Sequence, residues 1–173
     1  MMIEPNKINE TAQKFEEENK NFRTFLRKNA NRNELDSHFR RLHNDIFAEY
    51  DCCKCANCCK TYDILIGEND ITVIAAYLGQ SEKDFISNYL APNEDHASED
   101  EEYQIKEKPC CFLGADGKCA VQECKPRVCG DFPHTDKPDR LYNLLNLLEF
   151  AEDCPVVFEI FERLKIIYNW DKK

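Results

Sequence analysis

The sequence predicts a mainly α protein with one small β-hairpin, built as a single domain whose helices frame cysteine-rich loops. Three observations support this fold class. Apolar residues recur at helical spacing near both ends of the chain. Ten of the 11 cysteines gather in two segments that have no such periodicity, and Asp116-Gly117 is a dipeptide typical of hairpin turns.

Two amphipathic helices are expected at the start of the chain. Residues 6–29 carry apolar side chains at steps of three, four and seven, and a second apolar stripe runs from about 34 to 49. The polar stretch 31–33 between them favours a turn. We therefore expect residues 1–50 to form a helical hairpin that packs on the rest of the chain.

The middle of the chain predicts shorter elements. Residues 63–66 favour a strand, and 69–78 favour a helix that ends at a glycine. Ser81 is suited to cap a further helix that stops before Pro92, because its hydroxyl can accept a hydrogen bond from the first turn. The acidic stretch 93–102 is expected to be a solvated loop, since it has almost no apolar content. It also lacks the alternation and glycine of a calcium loop.

A hairpin and two more helices complete the predicted fold. The hairpin turns at Asp116-Gly117 and carries a cysteine on each arm. Apolar periodicity predicts helices over about 139–151 and 156–169, joined at Cys154-Pro155. We therefore expect residues 51–173 to form one cysteine-cluster domain that includes the two C-terminal helices.

Charge and hydropathy exclude several classes of partner. A formal charge of −10 argues against nucleic acid, whose binding needs clustered Lys and Arg. No apolar run approaches the roughly 20 residues of a membrane span, and the first residues lack the basic and apolar regions of a secretory signal. The sequence predicts a cytoplasmic protein with no nucleic-acid or membrane partner. It leaves a protein partner open.

The cysteine pattern points to metal rather than disulfide chemistry. The number of cysteines, 11, is odd, and three pairs are adjacent in sequence, which suits separate bridges poorly. In a reducing compartment, dense thiols indicate metal or redox chemistry. A metal ion is therefore the partner that the sequence predicts most directly.

The first cluster, CCKCANCC, leaves the metal undecided. Cys52, Cys55 and Cys58 follow C-x2-C-x2-C, a spacing found both in zinc sites and at the front of a ferredoxin motif. Tyr62 stands where the fourth ferredoxin cysteine would be. A missing ligand would come from elsewhere, and Cys154, which precedes a proline, is one candidate. Spacing alone keeps zinc, iron and an iron–sulfur cluster open.

The second segment supplies more thiols in a basic setting. Four thiolates around Zn²⁺ carry a formal charge near −2, which needs compensation when the site is buried. Segments 52–60 and 108–129 contain six basic residues but only two acidic ones, although the whole chain is acidic. This local excess of positive charge favours metal thiolates. The thiols of the second segment are those of Cys110, Cys111, Cys119, Cys124 and Cys129.

These residues together resemble the YkgJ-type cysteine-cluster family. The shared features are C-x2-C-x2-CC, then C-F-L with a D-G-K-C turn, then K-P-x-x-C-x-x-F-P, over about residues 50–158. Members are described as zinc- or iron-chelating proteins, and flagellin lysine N-methylases are counted among their relatives. By position, the resemblance implies a set of metal ligands at Cys52, Cys55, Cys58, Cys59, Cys111, Cys119 and Cys129, with Cys154 as an eighth.

The chain departs from that family pattern at several positions. Ala56 stands where the family usually has glycine, Lys125-Pro126 replaces Arg-Pro, and Gly130 stands where arginine is common. These changes question any anion-binding role of those arginines but leave the thiols intact. Cys53, Cys110 and Cys124 fall outside the pattern and are expected to support the site or to be incidental.

Two functional hypotheses follow. The first is a metal-binding protein in which about eight thiolates hold zinc or iron in one or two centres. The alternative is an iron–sulfur protein that acts in electron transfer, or as a redox or methyl-transfer enzyme on a protein substrate. Asp131 and His134 are candidate acid–base groups beside Cys129, but a loop histidine near a structural site is the simpler interpretation. The sequence does not decide whether the protein is an enzyme.

Overall fold

The computed structural model describes residues 2–93 and 103–170 of the chain. It divides into two compact units. The helical unit comprises Met1–Asp51 and Pro133–Lys173, and the cysteine unit comprises Cys52–Phe132. Most of the acidic stretch predicted to be a loop, residues 94–102, lies outside the described residues.

The described residues are mainly α with a small antiparallel sheet, which confirms the predicted fold class. In chain order the helices are α1 (Ile8–Asn29), α2 (Arg32–Phe47), α3 (Cys52–Cys55), α4 (Asn57–Thr61), α5 (Glu68–Tyr77), α6 (Glu82–Tyr89), α7 (Arg127–Asp131), α8 (Leu144–Ala151) and α9 (Pro155–Ile167). Single 3-10 turns lie at Pro5–Lys7 and Gln122–Cys124. The strands are β1 (Leu65–Ile66), β2 (Leu90–Pro92) and β3 (Tyr103–Ile105). No helix in these described ranges is long and apolar enough to cross a membrane.

The helical unit packs the apolar stripes of α1, α2, α8 and α9 into one core. Phe22, Phe39 and Phe161 are fully buried in it, and the rings of Phe39 and Phe161 meet edge to face at 6.1 Å. The two predicted N-terminal helices are confirmed. The Asn31 side chain caps α2 by accepting hydrogen bonds from the N–H groups of residues 33 and 34, so the turn between α1 and α2 is shorter than predicted.

The predicted helix over 139–151 begins only at Leu144, because tertiary contacts hold the preceding residues in another conformation. The Asp36 carboxylate on α2 accepts hydrogen bonds from the N–H groups of Asp139 and Arg140, at 2.9 and 2.8 Å. The buried Arg140 guanidinium donates to the carbonyls of Pro138 and His134. These bonds satisfy the local polar groups without a helical turn.

The cysteine unit is built on a three-stranded antiparallel sheet in the order β1-β3-β2. Leu65 pairs with Gln104, and Leu90 pairs with Ile105. The sequence predicted a strand at β1 but missed β2 and β3, which have only three residues each and come from separate parts of the chain. Two local predictions are confirmed. Ser81 caps α6 by accepting the N–H of residue 84, and the chain leaves α5 through a glycine at φ 67°.

The core of the cysteine unit carries the cysteine segments on its surface. Ile66, Ile74 and Phe85 are fully buried at its centre, next to Phe112 and the buried Cys110. Four other cysteines of the second segment, and Cys59 of the first, pack against this core as partly buried side chains. The sheet and helices α5 and α6 therefore provide the frame for the thiols.

Candidate metal centre

The first cysteine segment is two short helical turns joined by a left-handed residue. Helices α3 and α4 are separated by Ala56, whose φ and ψ are 51° and 21°. The N–H of Ala56 donates to the Cys52 carbonyl at 2.8 Å and so closes the first turn. A residue with a Cβ is strained in this left-handed conformation, so glycine would suit position 56 better than alanine.

The second cysteine segment forms the predicted tight turn, reduced to a single antiparallel bridge. Leu113 pairs with Cys119, and the N–H of Gly114 donates to the carbonyl of Lys118 at 2.8 Å. Gly117 occupies the turn at φ 79°. This arrangement places Cys111 and Cys119 on opposite arms, as the sequence predicts.

The two cysteine segments touch through their backbones. A Cβ on Gly117 would lie 1.9 Å from the carbonyl oxygen of Cys53, so only glycine fits at this contact. At a second contact, the N–H of Cys110 donates to the Cys59 carbonyl at 2.8 Å. Segments separated by about fifty residues are thus held together without any side-chain ligand.

Two adjacent pairs of thiols interact directly. The Sγ atoms of Cys58 and Cys59 lie 4.0 Å apart, and this hydrogen bond together with burial holds the pKa of Cys59 well above its ordinary value. In the second pair, the Cys111 thiol is hydrogen-bonded to the Cys110 sulfur. That bond, together with the backbone N–H groups of Phe112 and Leu113, lowers the pKa of Cys110 to about 7. The same bond and burial raise the pKa of Cys111.

Cys119 and Cys129 complete a set of mutually interacting thiols. Burial raises the pKa of Cys119, and burial raises that of Cys129 to about 12. In both cases negative charge on Cys59 or Cys110 raises the pKa further, so the thiols are close enough to influence one another. Negative charge on Cys119 also raises the pKa of Cys124, after the larger effect of burial. We give the name thiol cluster to the six cysteines that share a thiol hydrogen bond or are influenced by both Cys59 and Cys110: Cys58, Cys59, Cys110, Cys111, Cys119 and Cys129.

Lys125 supplies positive charge to three members of this cluster. Its ammonium lowers the pKa values of Cys59, Cys119 and Cys129, opposing the larger effects that raise them. Its aliphatic chain runs beside α7, with Cε 4.0 Å from where a Cβ on Gly130 would be. This placement agrees with the local excess of basic residues seen in the sequence, since thiolates need a nearby cation when they are desolvated.

The eight cysteines predicted as ligands lie in different parts of the structure. Cys58, Cys59, Cys111, Cys119 and Cys129 belong to the thiol cluster. Cys52 is exposed and Cys55 is buried, both in α3. Cys154 lies in the helical unit, where it occupies the N-cap position of α9.

Cys110 is the member of the cluster that sequence reasoning set aside. The family motif places a ligand at its neighbour, Cys111, and so leaves Cys110 outside the predicted ligand set. In the structure Cys110 is buried, and the backbone of Phe112 and Leu113 helps the Cys111 thiol to lower the pKa of Cys110. The adjacent CC pair is the signal in the sequence that could have kept both cysteines under consideration.

The sulfur ligands of this protein are of the kind that zinc and iron prefer, but their side chains do not point toward a common metal position. All 11 cysteines lie in the described residues as reduced thiols, and thiolates favour zinc and iron–sulfur centres. Within the described ranges, no group of three or more Cys, His, Asp or Glu side chains is arranged to hold a metal ion. Coordination would therefore require side-chain rotations within the thiol cluster, as is common when metal binding and local folding are coupled.

Comparison with known proteins gives one match. The family model described as "CxxCxxCC: Putative zinc- or iron-chelating domain" matches residues 51–155. No curated protein and no solved structure matches the chain. The matched residues span all 11 cysteines, including Cys154.

Proposed function

Because the chain belongs to the zinc- or iron-chelating CxxCxxCC domain family, we propose that it holds its metal through the thiolates of the cysteine unit. The observation that carries this proposal is the juxtaposition of the two cysteine segments. Their backbones touch at Gly117 and Cys53 and again at Cys110 and Cys59, which gathers six thiols from distant parts of the chain.

The proposed ligands are drawn first from the thiol cluster. Its six members are half-buried or buried, and the charge of Lys125 acts on Cys59, Cys119 and Cys129, where it would compensate deprotonated sulfurs on binding. Cys52 and Cys55 are proposed as further ligands from α3. Since one Zn²⁺ takes four thiolates, a set of about eight implies two centres or one polynuclear centre.

The donor chemistry also supports a second candidate, an iron–sulfur protein that acts in electron transfer. Thiolate sulfur is the ligand of iron–sulfur clusters as well as of structural zinc. None of the three histidines in the described residues, His38, His43 and His134, lies within the cysteine unit. Thiolate ligands fit both candidates, and the metal itself distinguishes them.

The decisive experiment is anaerobic purification followed by elemental analysis and an absorption spectrum. We expect at least one equivalent of zinc or iron per chain. Iron with labile sulfide and visible absorption would select the second candidate, whereas a colourless zinc protein would exclude it. A chain that retains neither metal, and takes up neither when it is supplied under reducing conditions, would overturn the proposal.

A matched pair of substitutions tests the thiol cluster. Cys119→Ser removes a cluster member, and Cys124→Ser removes a nearby thiol outside both the cluster and the sequence-derived ligand set. We expect the first to lower metal affinity at least tenfold and the second to change it less than threefold, because a serine hydroxyl is a poor replacement for a thiolate. Equal retention of metal by Cys119→Ser and wild type would contradict the proposed site.

A further inference from the structure

The helix that carries Cys129 is completed at its N-terminus by a residue of another helix. The N–H of Arg127, the first residue of α7, donates to the Asp70 Oδ1 at 3.2 Å, across 57 positions of sequence. Asp70 is on α5 and is partly buried. The first N–H groups of a helix have no partner within the helix, and a carboxylate is a favourable acceptor for them.

Helix α7 has little else to define its start. It has only five residues, and its N-cap residue is Pro126, whose side chain makes no capping hydrogen bond. The N–H groups of Cys129 and Gly130 both donate to the Pro126 carbonyl, at 2.9 and 3.0 Å. So short a helix is marginal by itself, because few hydrogen bonds offset the cost of fixing its backbone. An external acceptor therefore has a disproportionate influence on where Cys129 lies.

Asp70 is well placed to provide a fixed reference point. The next residue, Ile71, is buried, and Ile74 and Ala75 on the same helix are almost completely buried in the core of the cysteine unit. That core also contains Cys110 and Phe112, the start of the second cysteine segment. The Asp70 bond thus fixes α7 to the element that supports the rest of the thiol cluster.

We propose that Asp70 is a positioning residue for Cys129, acting through the N-terminus of α7 to hold this sulfur where the other thiols can share a metal with it. This inference rests on the proposed function for its consequence in metal binding, but the capping bond itself is tested in the metal-free protein. Partners of this kind, which orient a ligand without touching the metal, commonly change metal affinity by about 10- to 100-fold.

A competing interpretation is that Asp70 serves only its own helix. Asp70 lies in the first turn of α5 together with Glu68, and acidic residues there favour helix formation. Glu68→Ala removes a first-turn carboxylate from α5 without affecting the bond to α7. It is therefore the matched control for Asp70→Ala.

The bond can also be removed from its donor side. Arg127→Pro deletes the N–H at the first helical position, where proline is well tolerated, and Arg127→Ala keeps the N–H while removing the same side chain. The ψ of 143° at Pro126 already suits a residue that precedes proline. This second route keeps the proposal testable even if Asp70→Ala does not fold.

The experiment measures zinc affinity by chelator competition and, in the metal-free protein, the rate of Cys129 alkylation relative to Cys119. We expect Asp70→Ala and Arg127→Pro each to weaken zinc binding about tenfold and to speed alkylation of Cys129 selectively. The double variant should be no worse than either single variant, since both remove the same bond. Asp70→Asn, Glu68→Ala and Arg127→Ala should stay within threefold of wild type.

Two results would overturn the inference. One is wild-type affinity and alkylation in both Asp70→Ala and Arg127→Pro. The other is an equal loss in Glu68→Ala, which would assign the effect to α5 itself. If wild type binds no zinc or iron, the proposed function fails, while the alkylation rates still decide whether Asp70 positions Cys129.

Discussion

The two units of this protein are built on different physical principles. The helical unit uses helices of up to 22 residues whose apolar stripes meet in a core rich in phenylalanine and leucine. The cysteine unit uses helices of four to ten residues and strands of two or three residues, with thiols packed against a smaller core. Burial of large side chains suffices for the first unit, whereas the second combines a small core with tight backbone contacts and proposed metal ligation.

The largest expected effect comes from a pair of core truncations. Phe161→Ala and Phe85→Ala each remove a fully buried ring, one from each unit, and each should cost about 3–5 kcal/mol in the metal-free protein. Hydrogen exchange should show that added metal restores protection in the cysteine unit of Phe85→Ala, because the ligand binds only the folded form. The helical unit of Phe161→Ala should gain no protection from metal. If added metal restored hydrogen-exchange protection equally in both units, the cysteine unit would not depend on metal more than the helical unit does.

A pair of glycine substitutions separates backbone contact from backbone conformation. Gly117 and Gly79 both have a positive φ, at 79° and 67°. A Cβ at residue 117 would collide with the Cys53 carbonyl, whereas a Cβ at residue 79 meets nothing within 4 Å. We expect Gly79→Ala to cost about 1–2 kcal/mol from conformation alone. Gly117→Ala should cost at least about 1 kcal/mol more because the cysteine segments must move apart. Urea denaturation measures both, and equal losses would contradict the contact.

Two buried alanines test the left-handed turn. Ala75 lies within α5, so Ala75→Gly should cost about 1.5–2 kcal/mol from lost helix propensity and lost methyl burial. Ala56 is also buried but has a left-handed backbone that glycine adopts more easily. We expect Ala56→Gly to change the free energy of unfolding by less than about 0.5 kcal/mol, because relief of strain offsets the lost methyl group. A loss as large as that of Ala75→Gly would show that Ala56 is not strained.

The smallest expected effect is a pH dependence that belongs to the helical unit. His43 bonds Thr135 through Nδ1 at 2.8 Å, and burial lowers its pKa below the ordinary 6.5. Nearby Asp136 opposes this shift and Lys137 adds to it. The unfolded chain binds a proton at His43 more readily than the folded chain does. The contribution of neutral His43 to the free energy of unfolding is therefore fully present above pH 6.5, and it is lost as the pH falls through the folded-state pKa. His43→Gln should flatten this part of the stability curve measured by urea denaturation, and an unchanged slope would contradict the assignment.

The apolar periodicity of the sequence was sufficient to predict the long helices, because the residues of each helix carry the pattern themselves. Helices α1 and α2 were predicted nearly to their ends, and so was α9. Residues 139–143 were predicted as helix and are not, because the Asp36 carboxylate and the buried Arg140 bind their backbone groups differently. Strands β2 and β3 were missed since pairing between segments of three residues is decided by partners distant in sequence.

The sequence by itself determined which kind of metal ligand this protein offers, because residue type fixes which ions a side chain can bind. Clustered thiols in a basic setting predicted metal binding, and the family match supports zinc or iron chelation. Only the tertiary structure decided which thiols meet. It brought Cys110 into the cluster, joined the two cysteine segments at Gly117, and linked Asp70 to the helix of Cys129. Such contacts depend on chain segments that are far apart in sequence, so local spacing does not encode them.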